Sequence, residues 1–174
     1  MKIVGITKER QLYVKPDSAL LVGNKPFFIP LFSDCISASF ALVGRVCRLG
    51  RNIQEKFASR YLDAFAPALN LQADDMQNWT ERTGFDNSLV LGQFQTDMPQ
   101  HLRFQENEDT VADFCAEDLS MSMFEAVEYV SRFVTLRMGD MVAVDFMASE
   151  ARLKKEAVWR GFMGDEQKLY CKIK

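Results

Sequence analysis

A mostly apolar run that stops at a glycine, with a capped helix set to begin two residues later, is what most constrains the folding of this chain. From residue 38 to residue 49 the sequence is apolar apart from a few interspersed polar residues, among them Arg45 and Arg48, and the run ends at Gly50. That pattern predicts a strand and a tight turn. Asn52 is positioned to cap a helix, and Glu55, three residues on, would complete a capping box. Ile53, Phe57, Tyr61, Ala64 and Phe65 then share one helical face, and Pro67 ends the helix. Residues 68–71 follow as a strand.

Around this unit the chain reads as short strands. Residues 2–6 and 11–14 form two of them, meeting in a charged turn at residues 8–10, with Pro16 breaking the second. Residues 24–30 are extended, fixed by Pro26 and Pro30. Ser122 and Glu125 make a second capping box, opening a helix with Met123, Ala126, Val127, Val130 and Phe133 on its buried side. Gly139 and Asp140 turn the chain into a strongly apolar strand at residues 141–144, and residues 168–174 alternate like a half-buried strand. Two main helices among many strands predict an α+β domain dominated by β structure. Its 174 residues fit one domain, 1–174.

The net charge of -3 argues against a nucleic-acid partner, and the only local basic cluster, at residues 152–155, reads as a solvated turn or strand end. No stretch approaches the length of a membrane span, and residues 1–10 become charged too soon for a signal peptide, so a cytoplasmic protein is expected. Cys35, Cys47, Cys115 and Cys171 are scattered among apolar residues with no Cys-x-x-Cys pair, which predicts free structural thiols.

Several pieces in order resemble the fumarylacetoacetate hydrolase family, in particular the small bacterial members called 2-hydroxyhepta-2,4-diene-1,7-dioate isomerases. They are Lys15-Pro-Asp-Ser-Ala-Leu-Leu21, Lys25-Pro-Phe-Phe-Ile-Pro30, the turn and helix of residues 47–65, Gly84-Phe-Asp86 followed by Leu91-Gly92, and the helix leading into Thr135-Leu-Arg-Met-Gly-Asp140. The resemblance spans nearly the whole chain. It implies the mixed β-roll or sandwich of that family's C-terminal domain, commonly as a homodimer. It also implies metal-dependent chemistry on keto acids, with Mg²⁺ or Mn²⁺ held by three carboxylates and a His–Glu dyad activating water.

At the matching positions the chemistry is missing. The acidic-x-acidic pair, which shares one strand face, falls on Ser39 and Ala41, and the third acid falls on Asn70. Ala41 offers no oxygen, and three negative charges are gone, so no cofactor is expected. The segment that carries the dyad shrinks to the turn between Ile6 and Leu12, and the sole histidine, His101, reads as a surface residue. The usual lysine before Gly84 is Thr83. The pocket-closing Thr-Gly-Thr-Pro turn is Val144-Asp-Phe-Met147, and an Asn-Gly turn becomes Asn107-Glu108. Asp74 and Asp75, as adjacent strand residues, point to opposite faces and cannot readily chelate together. The acidic run of residues 106–113 reads as a solvated loop. Lys15, Asp75, Thr83, Asp86 and Asp145 remain as a residual pocket.

Two readings follow. One is a family homologue without metal or catalysis, dimeric, binding a partner or a small ligand and able to pair with an active relative. The other is a divergent hydrolase, isomerase or decarboxylase acting on a keto acid or acylpyruvate with groups such as Lys15, Asp75, Asp86 or His101. A cleft filled by Phe40, Phe146 and Met147 would argue against the second.

Overall fold

Strands dominate the computed structural model, which describes residues 1–147 and 150–174. The chain begins with β1 (Lys2–Ile6), β2 (Leu12–Pro16), β3 (Leu20–Leu21) and the long β4 (Ile36–Val46). A single helical turn, α1 (Glu55–Ala58), precedes β5 (Leu62–Ala73), α2 (Trp79–Thr83) and β6 (Leu89–Leu91). The hairpin β7 (His101–Glu106) and β8 (Asp109–Cys115) leads to α3 (Met123–Phe133), then β9 (Met141–Asp145) and β10 (Ala151–Arg152). The chain closes with β11 (Val158–Met163) and β12 (Glu166–Lys172).

The larger sheet runs β2-β1-β9-β4-β5-β6-β3, with β10 beside β4, and the smaller runs β12-β11-β7-β8. In the larger sheet β1 pairs parallel with β9 and β3 parallel with β6, and its other pairs are antiparallel. Alternation along each strand gives this sheet two buried faces. On the outer face Phe40, Leu42, Leu69 and Val144 join Phe104, Phe114 and Trp159 of the smaller sheet and Met123, Val127 and Val130 of α3. Phe114 and Phe146 stack at 4.4 Å, and Phe40 lies 4.8 Å from Phe104.

The inner face carries small residues, among them Ala41, Ala66, Ala68 and Ala143, and small side chains let a sheet curl upon itself. Lys15 measures the curl. Its Nζ, on β2, donates to the Leu71 carbonyl of β5 at 3.1 Å. In a flat sheet those strands would lie four spacings apart, about 19 Å, far beyond one lysine side chain. The larger sheet is therefore a roll, as the α+β, mainly β reading anticipated.

Helix α3 matches its sequence signal, with the Ser122–Glu125 capping box formed in both directions. The other expected helix is corrected. Asn52 takes a left-handed backbone (φ 53°) and does not cap; the helix is one turn long, and Leu62, Ala64 and Phe65 belong to β5. Pairing with β4 buries those residues better than a free-standing helix face would. The acidic run is likewise not a loop: it is a hairpin, with Asn107 left-handed at its turn. The cysteines are free, but Cys115 is exposed and not a core residue. Among the described residues no helix is long and apolar enough to cross a membrane.

Gly5 is where strand and side chain approach most closely. A Cβ there would lie 2.1 Å from Cζ of Tyr13, whose ring covers the glycine. Gly5→Ala should lower the unfolding free energy by about 1–3 kcal/mol, read by urea titration. Unchanged stability would mean that Tyr13 has room to step aside.

Candidate functional site

The polar residues of the inner face meet at one level of the roll. On β4, Ser39 and Ala41 face inward, and register sets Ser39 opposite Asn70 of β5 and Ala41 opposite Asp145 of β9. The Ser39 hydroxyl donates to Asp145 Oδ2 at 2.6 Å, and the Asn70 amide donates to the same oxygen at 3.1 Å and to Oδ1 at 3.3 Å. From β2, Lys15 donates to the carbonyls of Leu71 and Ser88 and to the Ser88 hydroxyl, at 3.1, 2.8 and 3.0 Å. That uses all three ammonium donors. Ser88 in turn donates to the carbonyl of Thr83 at 3.1 Å. Tyr13, two residues from Lys15 on the same face, lies under its ammonium, 5.6 Å from ring centroid to Nζ. None of Tyr13, Lys15, Ser39, Ala41, Asn70 and Asp145 is more than 1% exposed. The Tyr13 hydroxyl and the Asn70 carbonyl oxygen are buried without a partner among the described residues.

Burial dominates the electrostatics. It raises the Asp145 carboxyl to about 7, against the pull of the Ser39 and Asn70 hydrogen bonds and the Lys15 charge, while Glu150 adds to the rise. Burial lowers Lys15 to about 7, opposed by the charge of Asp145. The Tyr13 phenol is pushed up by burial and then by Asp145. These groups therefore sense one another across β2 and β9.

Of the residues singled out by sequence, Lys15, Ser39, Ala41, Asn70 and Asp145 come together. Thr83 joins only through its backbone, because its hydroxyl donates to the carbonyl of Trp79 within α2. Asp86 is exposed ahead of β6. Asp74 and Asp75 sit in the turn after β5 rather than on a strand. They still diverge, Asp74 accepting from Arg82 at 2.8 Å and Asp75 from Ser33 at 2.5 Å. His101 is exposed with its ring 3.8 Å from the Cys115 sulfur, across the smaller sheet. Phe40 and Phe146 do not fill the roll: they belong to its outer face, and Met147 is exposed. Sequence reasoning missed Tyr13 and Ser88. Alternation along β2 could have found Tyr13, whereas nothing local signals Ser88. Among the described residues there is no group of three or more His, Cys, Asp or Glu able to hold a metal ion.

Comparison with known proteins supplies the context. The family model described as fumarylacetoacetate (FAA) hydrolase C-terminal matches residues 3–156. An uncharacterized protein from Archaeoglobus fulgidus is 28% identical over 158 residues, covering 86% of this chain and 63% of that protein. The oxaloacetate tautomerase YcgM of Escherichia coli is 25% identical over 152 residues, covering 79% of this chain and 69% of its own. The crystal structure of 2-hydroxyhepta-2,4-diene-1,7-dioate isomerase from Mycobacterium marinum superposes with a TM-score of 0.91 at 18% identity, over 99% of this chain and 73% of that one. The chain thus spans less than two thirds of its archaeal relative.

The two shifted groups give stability an unusual pH profile. Folded Asp145 keeps its proton to about pH 7, whereas the unfolded carboxyl loses it near 4, so its contribution is lost as pH rises through that window. Lys15 acts oppositely, its contribution being lost as pH falls from about 10.5 to 7. Together they stabilise least near neutrality. Urea titrations of the parent and of Asp145→Asn at pH 5, 6 and 7 should show the parent losing up to roughly 1.4 kcal/mol per pH unit relative to the variant. A constant difference over that range would rule out the buried, protonated carboxyl.

Proposed function

The chain belongs to the fumarylacetoacetate hydrolase family, and from that premise we propose that it is a non-catalytic member, working without a divalent metal as a dimeric binding protein. One observation carries this reading: of the three ligand-matching positions, two bind the chain's own Asp145 and the third offers no ligand. Ser39 and Asn70 donate to that carboxylate, and Ala41 has no polar side-chain atom. A hard divalent cation needs about six oxygens, with carboxylates supplying the neutralising charge. Here one carboxylate is available, Asn70 turns its NH₂ group to it, and an ammonium lies near. Such a donor set does not fit Mg²⁺ or Mn²⁺.

The partner in this reading is a second copy of the chain or an active relative, as symmetric interfaces of related chains allow. Exposed Phe28, Leu31 and Phe32 give such an interface apolar surface. Four free cysteines suit a reducing, cytoplasmic setting.

A second reading has an observation of its own. Lys15 and Asp145 both titrate near neutrality inside the roll, the range suited to an acid–base pair. A metal-independent enzyme acting on a keto acid could use them.

Isothermal titration with Mg²⁺ and Mn²⁺, followed by oxaloacetate and an acylpyruvate, separates the two. No heat from either metal and no turnover of either acid is the expected result. Micromolar metal binding or metal-dependent turnover would overturn the proposal, and turnover unaffected by a chelator would bring the second reading forward.

A further inference from the structure

We infer that Asp145 is the carboxylate missing from position 41, moved one strand sideways, and that it draws β4, β5 and β9 together where a metal ion would otherwise do so. This rests on the metal-free reading above. The register carries it. Ala41 of β4 pairs directly with Asp145 of β9, and side chains of such a pair stand about 5 Å apart on the same face. A methyl group at 41 leaves open the space that the longer side chain at 145 needs. The carboxylate then accepts from Ser39 and Asn70, the other two ligand-matching positions, which have become a hydroxyl and an amide and so can donate. Three losses and one gain thus fit a single exchange: acids at 39 and 70 would repel Asp145, and an acid at 41 would compete for its place. Lys15 supplies positive charge from β2, its own donors satisfied by Leu71 and Ser88. With Asp145 gone, Ser39 and Asn70 keep buried donors without that acceptor, the unsatisfied burial that destabilises.

A double-mutant cycle tests the exchange. Asp145→Ala should lower Tm by roughly 10 °C. Ala41→Asp alone should also lower it, by setting two buried carboxylates side by side. Combined, the two changes return the carboxylate to β4 and should recover more than half of the Asp145→Ala loss. A double variant whose losses simply add would overturn the inference, as would an Asp145→Ala protein as stable as its parent. If Asp145→Ala does not fold, Asp145→Asn with and without Ala41→Asp reads the same coupling. Mn²⁺ added to the parent protein tests the premise separately. A rise in Tm there would sink the metal-free reading itself, whatever the cycle returns, whereas no rise leaves the cycle to decide the exchange alone.

Discussion

The roll is tied shut by one buried ammonium. Lys15 on β2 reaches carbonyls of β5 and of the segment before β6, strands that the order of the sheet sets far apart. Burying an ammonium costs several kcal/mol unless its charge and donors are both met. Here the donors are met by Leu71 and Ser88, and Asp145 supplies the opposing charge once it ionises. The rest of the inner face follows. A sheet rolled tightly enough for one lysine to bridge it favours small residues inside, such as Ala41, Ala66, Ala68 and Ala143, with a glycine under Tyr13 and a thin polar layer beside them.

That layer illustrates how a sheet can exchange chemistry without exchanging fold. Neighbours across a ladder stand about as close as neighbours along one face of a strand, so a carboxylate can be supplied to the same point in space from either of two strands. The scaffold around it need not respond. The outer face of the same strands, with Phe40 and Phe146 packed on Phe104, Phe114 and Trp159, is insulated from the inner one by the backbone itself.

What the sequence disclosed and what it withheld divide along the range of the interactions. Helix α3 was legible because its signals are local: Ser122 and Glu125 three residues apart and a buried stripe of fixed spacing. The strand pattern was legible for the same reason. The helix expected at Asn52 failed because the apolar spacing that suits a helix also suits a turn followed by a strand, and pairing of β5 with β4 decided between them. At the site, Ser39, Ala41 and Asn70 could be located by motif, and Asp145 was noticed as a residue. That Asp145 accepts from Ser39 and Asn70 could not be read, because it depends on the β4–β9 register between residues about a hundred positions apart. Ser88 was invisible for a like reason, its role arising only where the roll closes on Lys15.

The parallel pairing of β1 with β9 has a consequence for how the molecule comes into being. Residues 2–6 lie between β2 and residues 141–145, one strand in from the edge of the sheet. Residues 2–6 are synthesised long before residues 141–145 and so must wait for their neighbour on that side. Until β9 emerges, the β1–β2 hairpin presents an open, apolar edge, and Lys15 has no Asp145 to meet. Such non-local closure makes for slow folding and a vulnerable interval during synthesis, in which the nascent chain is the state most in need of protection from its neighbours.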